Sequence, residues 1–240
     1  MNKRYNPDYI HHKDSKIISS IRDIVFGLED GMVSTLGAIT GIAVGSQSHY
    51  TVILAGMVII AVESISMGIG SYISNLSEHG IIKRKLYEEE TEIEDFPHEE
   101  KEEMEQIYIR DGWPKDLATK MAEATSRDKK LMLHEMAHHE LNILPNEKRH
   151  PGMNGLFMFF AYIFGGIIPL FSYFVLPIDL AIKVSIVVTL LGLFLLGAST
   201  AYYTKGNWLK MGSRVLFLGG IALLAGYLIG KFASSINIAV

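Results

Sequence analysis

His134, Glu135 and His138 form the pattern HExxH within the stretch LMLHEMAHHEL. On a helix this pattern supplies two zinc ligands and a general base, as in zinc metalloproteases. Catalysis also requires a third protein ligand. The extended motif would place a histidine at position 144, which is a leucine, and beyond position 150 the chain has one acidic residue, Asp179. The sequence therefore predicts that the chain is not a metalloprotease and, more generally, not an enzyme.

Met136 and Glu140 belong to the same predicted helix but lie on the face opposite His134 and His138. They are four residues apart, and at about 100° per residue their shared helical face points away from the two histidines. Both faces cannot line one small site, so only one of them is expected to bind a ligand.

Two ExxE pairs precede this segment, Glu89 with Glu92 and Glu100 with Glu103. Each pair places two carboxylates on one helical face, where like charges repel. A single pair is most often a solvated acidic surface. Two pairs together with a thioether-bearing face favour a divalent transition metal, Fe²⁺ or Mn²⁺, with Zn²⁺ and Co²⁺ as further candidates. No organic cofactor is indicated.

The composition separates membrane-like segments from one acidic module. The chain has 240 residues, no cysteine, 49% hydrophobic residues and a mean hydropathy of +0.23. The lack of cysteine excludes disulfides and thiolate metal sites. Of the 26 acidic residues, 19 lie within 76–150, and an acidic module argues against nucleic acid as a partner. The polar first 23 residues have no signal-peptide pattern.

Five segments are long and apolar enough to cross a bilayer, which takes about 20 mostly apolar residues. These segments are residues 24–46, 51–74, 155–176, 180–203 and 212–236. We therefore predict an all-α polytopic membrane protein with five transmembrane helices and a helical module between the second and the third. The predicted organisation is 1–23 as an N-terminal segment, 24–75 as transmembrane helices one and two, 76–150 as a metal-binding module, and 151–240 as transmembrane helices three to five.

The distribution of lysine and arginine predicts the orientation. Basic residues flank the start of the first span, both ends of the acidic module and the connector after the fourth span, whereas the other two loops have none. Basic loops stay in the cytosol. The N-terminus and residues 76–150 are therefore expected to be cytosolic, with the C-terminus across the membrane. That membrane would be the cytoplasmic one in a prokaryote and a vacuolar-type one in a eukaryote.

Local signals divide the module into short helices. Pro97 ends the continuation of the second span, and Gly112 ends the helix that follows. Ser126 is predicted to cap a last helix, which runs to Ile143 and stops before Pro145.

Asp30, Glu63 and Met67 lie within the first two predicted spans. Ionisable groups inside spans are costly and usually mark ion or proton paths. Met67 is one turn from Glu63 on the same face, and Glu63 is expected to be paired or to exchange protons. Gly37 and the glycines at 41 and 45 allow close approach of another helix, either as ordinary packing or around a translocation path.

The segments FGLEDGMVSTLGAITGIAVG and ESISMGIGSYISNLSE resemble the first two spans of the vacuolar iron transporter family. The DG of the first and the SMGxGxY of the second are the most specific parts. The layout of five spans with a helical module after the second is also similar, over nearly the whole chain. The resemblance implies a homodimer in the lipid bilayer that moves Fe²⁺, and often Mn²⁺, out of the cytosol in exchange for protons.

The resemblance also implies roles for particular residues. The family's path aspartate and path methionine fall on Asp30 and Met67, in the two spans that line the dimer interface. The metal-binding positions of the family's module fall on Glu89, Glu92, Glu100, Glu103, Met136 and Glu140. This assignment selects the helical face opposite the HExxH histidines and leaves those histidines outside the site.

Two positions depart from the plant-type members of the family. Ala137 stands where those members have a second methionine. Ile59 stands where they have a glutamate in the second span, and here the acid lies one turn later, at Glu63. The second departure concerns the residues that would couple metal movement to protons.

Two other functions compete with transport. A membrane-anchored diiron oxidase would use Glu135 and His138 as half of a ferritin-like site, but such sites need two matching motifs on long facing helices, and the chain has one. An iron-binding sensor or store without transport would not need Asp30, Glu63 and Met67 within its spans. Transport is therefore the favoured function.

Overall fold

The computed structural model describes residues 18–143 and 150–235, which form eight helices and no β-strand. The helices are α1 (Ile18–Ser46), α2 (His49–Asp95), α3 (Pro97–Arg110), α4 (Lys115–Thr125), α5 (Lys129–His139), α6 (Pro151–Val175), α7 (Ile178–Thr204) and α8 (Trp208–Ser235). The predicted all-α class is confirmed. Most of the predicted segment 1–23, and the predicted stop at Pro145, lie outside the described residues.

The chain forms two compact units. The first contains the residues up to Tyr72 together with those from Gly152 onward, and the second contains Ile73–Pro151. The continuous helix α2 contributes its first half to one unit and its second half to the other. The predicted extension of the second span as far as the proline at position 97 is confirmed.

Four helices, α2, α6, α7 and α8, are long and apolar enough to cross a membrane. They expose large apolar side chains, such as Phe217 at 67% and Ile229 at 69%, which favours lipid contact over water. Helix α1 has 29 residues, but the adjacent acids Glu29 and Asp30 and many small residues lower its hydropathy, and it is not among the four. The fifth transmembrane helix therefore stays a prediction.

Helix α1 packs against α8 through glycine-to-glycine contacts. A Cβ atom added to Gly226 would overlap the carbonyl oxygen of Gly37, and one added to Gly230 would overlap that of Gly41. Small residues at both surfaces let the two backbones touch. The glycine repeat of α1 therefore serves packing within this chain.

Replacing Gly226 by alanine is expected to lower the melting temperature of the detergent-solubilised protein, because the new methyl group would collide with backbone atoms that cannot turn aside. Gly220→Ala on the same helix is the matched control, since a Cβ there meets no atom within 4 Å. Alanine is the better helix former by about 1 kcal/mol, so the control should be neutral or stabilising. Equal melting temperatures for the two variants would contradict the packing.

Helix α6 approaches α1 in the same way. A Cβ atom on Gly31 would overlap the carbonyl oxygen of Tyr162, and one on Gly165 would overlap that of Leu28. This contact brings the fully buried side chain of Tyr162 against α1. The tyrosine hydroxyl thereby reaches Ser34, one turn after Asp30.

The second unit has its own apolar core. Its buried members come from α2, α3, α4 and α5 and are Ile93, Met104, Ile107, Tyr108, Ala118, Ala122, Met132 and Met136. Short helices with one apolar face bury that face together and leave the charged faces in solvent.

The boundaries of α5 correct the prediction from sequence. Its N-cap is Asp128, whose carboxylate accepts hydrogen bonds from the backbone N–H groups of Lys130 and Leu131. Ser126 instead donates its hydroxyl to the carbonyl of Glu123, at the end of α4. The helix ends at His139, not Ile143, because the chain then turns through Asn142 in the left-handed region, with φ of 53°. Asparagine tolerates that conformation better than most residues.

Candidate metal sites

Five glutamates of the second unit lie close enough to interact electrostatically. Glu89 and Glu92 come from α2, Glu100 and Glu103 from α3, and Glu140 caps the end of α5. Glu89 is the centre of the group, because the charges of Glu140, Glu100 and Glu92 all act on its carboxyl. The structure thus gathers the carboxylates that the sequence analysis assigned to a metal site. We call these five residues the glutamate cluster.

The glutamate cluster contains two buried acids. Glu89 is 3% exposed and Glu100 is 7% exposed. Burial, followed by the charges of Glu140, Glu100 and Glu92, raises the pKa of Glu89 to about 8. Burial and the charge of Glu103 raise the pKa of Glu100 to about 6. Glu140 is exposed overall, but partial desolvation of its carboxyl and the charge of Glu103 also raise its pKa. At neutral pH Glu89 therefore retains a proton that a cation would have to displace.

Two carboxylate oxygens of the cluster, Oε1 of Glu89 and Oε2 of Glu100, are buried without a hydrogen-bond partner in the described structure. Unpartnered buried oxygens are costly, and a bound cation would satisfy them. Within residues 18–143 and 150–235, however, no three His, Asp or Glu side chains are arranged to hold a metal ion as they stand. Metal binding at the cluster would therefore require its side chains to rearrange.

Met136 lies in the apolar core of the second unit. Its side chain is fully buried, whereas Glu140, four residues later, is exposed. The backbone N–H of Glu140 donates to the carbonyl of Met136, so the two residues occupy successive turns as predicted. Packing in the apolar core explains the burial of Met136 without any bound metal. The role of Met136 as a metal ligand stays a prediction.

Among the residues that the structure describes, the HExxH side chains belong to no group that could hold a metal ion. Glu135 contacts His139, with its Oε2 3.5 Å from Nε2, and accepts a 3.3 Å hydrogen bond from the Tyr108 hydroxyl. His139 in turn places Nδ1 2.7 Å from a carboxylate oxygen of Asp111, at the end of α3. His138 is exposed and touches only the ring of His139 among the described contacts. The glutamate of the motif therefore joins a network that holds α5 to α3.

The first unit contains a separate pair of interacting acids, Asp30 and Glu63. Asp30 of α1 is partly buried and lies close enough to Glu63 of α2 for their charges to interact. The hydroxyl of Ser34 donates to the backbone carbonyl of Asp30 at 2.6 Å, so the Tyr162 hydroxyl, 2.6 Å away, donates to Ser34. Met67, one turn from Glu63, is partly exposed. The structure therefore brings together the two acids that the sequence analysis placed on an ion path.

The groove between α1 and α8 is a different feature. It has a volume of about 620 Å³ and is lined by small and apolar side chains and two serines, with no charged residue. A dehydrated cation would find no counter-charge there. This groove is therefore not the ion site.

Residues 21–231 match the sequence profile of the VIT family. The matched segment includes Asp30, Glu63, Met67 and the whole glutamate cluster. The chain belongs to the VIT family. The same conclusion was reached from the residues of the first two spans, and that prediction is confirmed.

Several proteins named as vacuolar iron transporters are similar over most of their length. Vacuolar iron transporter 1 of Arabidopsis thaliana is 27% identical over 224 residues, which cover 92% of this chain and 90% of the relative. The vacuolar iron transporter of Toxoplasma gondii is 30% identical over 233 residues, with 92% and 77% covered. That of Plasmodium berghei is 30% identical over 230 residues, with 92% and 84% covered.

Membership in the VIT family, a family of transporters, confirms that the chain is not an enzyme. Replacing His134 and His138 together by alanine is accordingly expected to leave metal uptake into liposomes unchanged, because both side chains are exposed and lie outside the glutamate cluster. Loss of uptake in a variant that still elutes as a folded protein would contradict this prediction.

Two groups of residues in this VIT-family chain were not predicted from the sequence. One is the network around His139. The spacing of four residues between Glu135 and His139 could have predicted their contact on a helix. The other consists of polar residues of the first unit, Ser34 and Tyr162 among them, whose importance depends on the approach of α6 to α1. No pattern along the sequence predicts that approach.

Proposed function

We propose that the protein exports Fe²⁺, and also Mn²⁺, from the cytosol in exchange for protons. The observation that carries the proposal is the match of residues 21–231 to the VIT family, together with relatives named as vacuolar iron transporters. The family match and the four long apolar helices also support an integral membrane protein. In the proposal α1 is a fifth transmembrane helix, and the N-terminus and residues 76–150 are cytosolic.

Two sites act in sequence in this proposal. The glutamate cluster, with Met136, captures the cation and releases protons, which the raised pKa values of Glu89 and Glu100 support. Asp30, Met67 and Glu63 then pass the ion across the membrane. Carboxylates with one thioether suit Fe²⁺ and Mn²⁺ and also admit Zn²⁺ and Co²⁺.

A homodimer is the proposed assembly. In the single chain Glu63 is exposed on α2, a helix that is apolar enough to span a membrane. A carboxylate facing lipid is costly, whereas one facing a second copy of the chain or a water-filled path is not. The position of Glu63 therefore supports a path between two copies.

The test is uptake of Fe²⁺ into liposomes that contain the purified protein and an entrapped iron-sensitive fluorophore. Uptake should be faster with an acidic interior than without a pH gradient, and competing Mn²⁺ should slow it. Protein-free liposomes are the control. If the protein binds iron in detergent but shows no uptake under any gradient, it is a sensor or store and not a transporter.

A further inference from the structure

His139, the last residue of α5, is held by the two residues at the end of α3. Its Nδ1 lies 2.7 Å from Oδ2 of Asp111, and because a carboxylate only accepts hydrogen bonds, Nδ1 is the donor. A guanidinium N–H of Arg110 donates to the backbone carbonyl of His139 at 3.2 Å. The Nε of Arg110 also lies 3.8 Å from Oδ1 of Asp111. His139 is therefore fixed by its ring and by its backbone, and we call these three residues the His139 clamp.

Stability alone does not account for the His139 clamp. The side chains of His139 and Asp111 are 25% and 32% exposed, and that of Arg110 is 61% exposed. Partly exposed ion pairs contribute little to the free energy of unfolding. The attachment of α5 to α3 depends more on the apolar core of the second unit, to which the two helices contribute the buried Met132 and Met104. The clamp adds a fixed position for the residue that follows it.

That residue is Glu140, the member of the glutamate cluster at the end of α5. It is the C-cap of the helix, and the chain then turns through Asn142. Among the charges that act on the buried Glu89, that of Glu140 is the largest. Because Glu140 follows His139 directly, a shift of the clamp would move its carboxylate relative to Glu89.

We propose that Arg110 and Asp111 act through His139 as positioning residues of the proposed metal site. They hold Glu140 near Glu89, so that the carboxylate of α5 meets those of α2 and α3. This inference rests on the proposed function, in which the glutamate cluster captures the cation. A ligand at the end of a short helix has to be ordered when the cation binds, and a neighbour that orders it in advance lowers that cost.

Titration of the full-length protein with Mn²⁺ in detergent at pH 8 provides the test. Asp111→Ala is expected to weaken binding about fivefold, which lies within the range for neighbouring residues that act together. Asp111→Asn should bind Mn²⁺ like the wild type, because its amide oxygen still accepts from His139. Arg110 is kept, since its own charge acts on Glu140. Equal affinities in Asp111→Ala and Asp111→Asn would overturn the inference.

A double-mutant cycle separates positioning from general damage to the module. Glu140→Gln should weaken Mn²⁺ binding by itself, and adding Asp111→Ala should then have no further effect, because the positioned carboxylate is gone. A further loss as large as that in Asp111→Ala alone would show that Asp111 acts elsewhere, and the inference would be wrong. Wild-type binding by Glu140→Gln would instead contradict the proposed capture site.

Tyr108→Phe is the matched control for stability. The Tyr108 hydroxyl donates to Glu135, one turn before His139, and phenylalanine keeps the ring that contacts the imidazole of His139. This variant loses a hydrogen bond outside the clamp, so its melting temperature should fall while its affinity for Mn²⁺ stays that of the wild type. A loss of affinity equal to that of Asp111→Ala would assign the effect to the stability of the module and refute the positioning role.

Discussion

Asp30→Asn is expected to reduce the rate of Fe²⁺ uptake about 100-fold, which corresponds to ~3 kcal/mol at 1.4 kcal/mol per factor of ten. The substitution keeps the shape of the side chain and removes its charge. A cation that has lost its hydration shell inside the membrane depends on such a charge, since the surrounding helices offer mainly apolar groups. Asp30 also interacts with Glu63, so its loss would remove one half of the acidic pair.

The matched control is Glu29→Gln, which neutralises the adjacent acid of α1. Glu29 has no contact with Glu63 in the described structure and should retain most of the uptake. Initial rates would be measured at equal protein density in the liposomes, with Fe²⁺ at several concentrations. Wild-type rates in Asp30→Asn, or equal losses in both variants, would exclude a specific path role for Asp30.

Glu89→Gln is expected to weaken Mn²⁺ binding to the full-length protein about tenfold at pH 8, because it removes the central carboxylate of the glutamate cluster. Binding by the wild type should strengthen as the pH rises from about 6 to about 8, the pKa values of Glu100 and Glu89. Each proton displaced by the metal adds up to about tenfold in affinity per pH unit. In Glu89→Gln the affinity for Mn²⁺ should stop rising as the pH approaches 8, because the carboxyl with the higher pKa is gone.

Titration of Mn²⁺ binding at several pH values would measure both effects. Glu90→Gln is the control, because Glu90 is the exposed neighbour of Glu89 on α2. If the two variants bind Mn²⁺ alike, or if wild-type binding does not depend on pH in this range, the glutamate cluster is not the capture site.

Without metal, the free energy of unfolding should fall as the pH rises, whereas Mn²⁺ binding is expected to strengthen. The pKa of Glu89 is raised from 4.5 to about 8, so the folded protein holds a proton that the unfolded chain has lost between these values. The free energy of unfolding therefore falls as the pH rises through this window. Glutamine mimics the protonated acid, so Glu89→Gln should melt above the wild type at pH 8 and close to it at pH 4.5.

Local patterns were sufficient for much of the fold. Long apolar runs predicted the four helices that can cross a membrane, because that property depends only on composition and length. Pro97 and Gly112 marked helix ends correctly, since proline and glycine act on the backbone at their own position. The cap of α5 was assigned to Ser126 in place of Asp128, because both residues are good caps and only the fold decides between them.

The sequence by itself determined the family, the all-α class and the identity of the candidate ligands, because these depend on residue types and their spacing. Tertiary structure decided their environment. It buried Glu89 and Glu100 where ExxE alone indicates a solvated helix, and it placed Met136 in an apolar core. It also brought His139 to Asp111, 28 residues away. Burial and contact arise from helices distant along the chain, and no local periodicity encodes which of them meet.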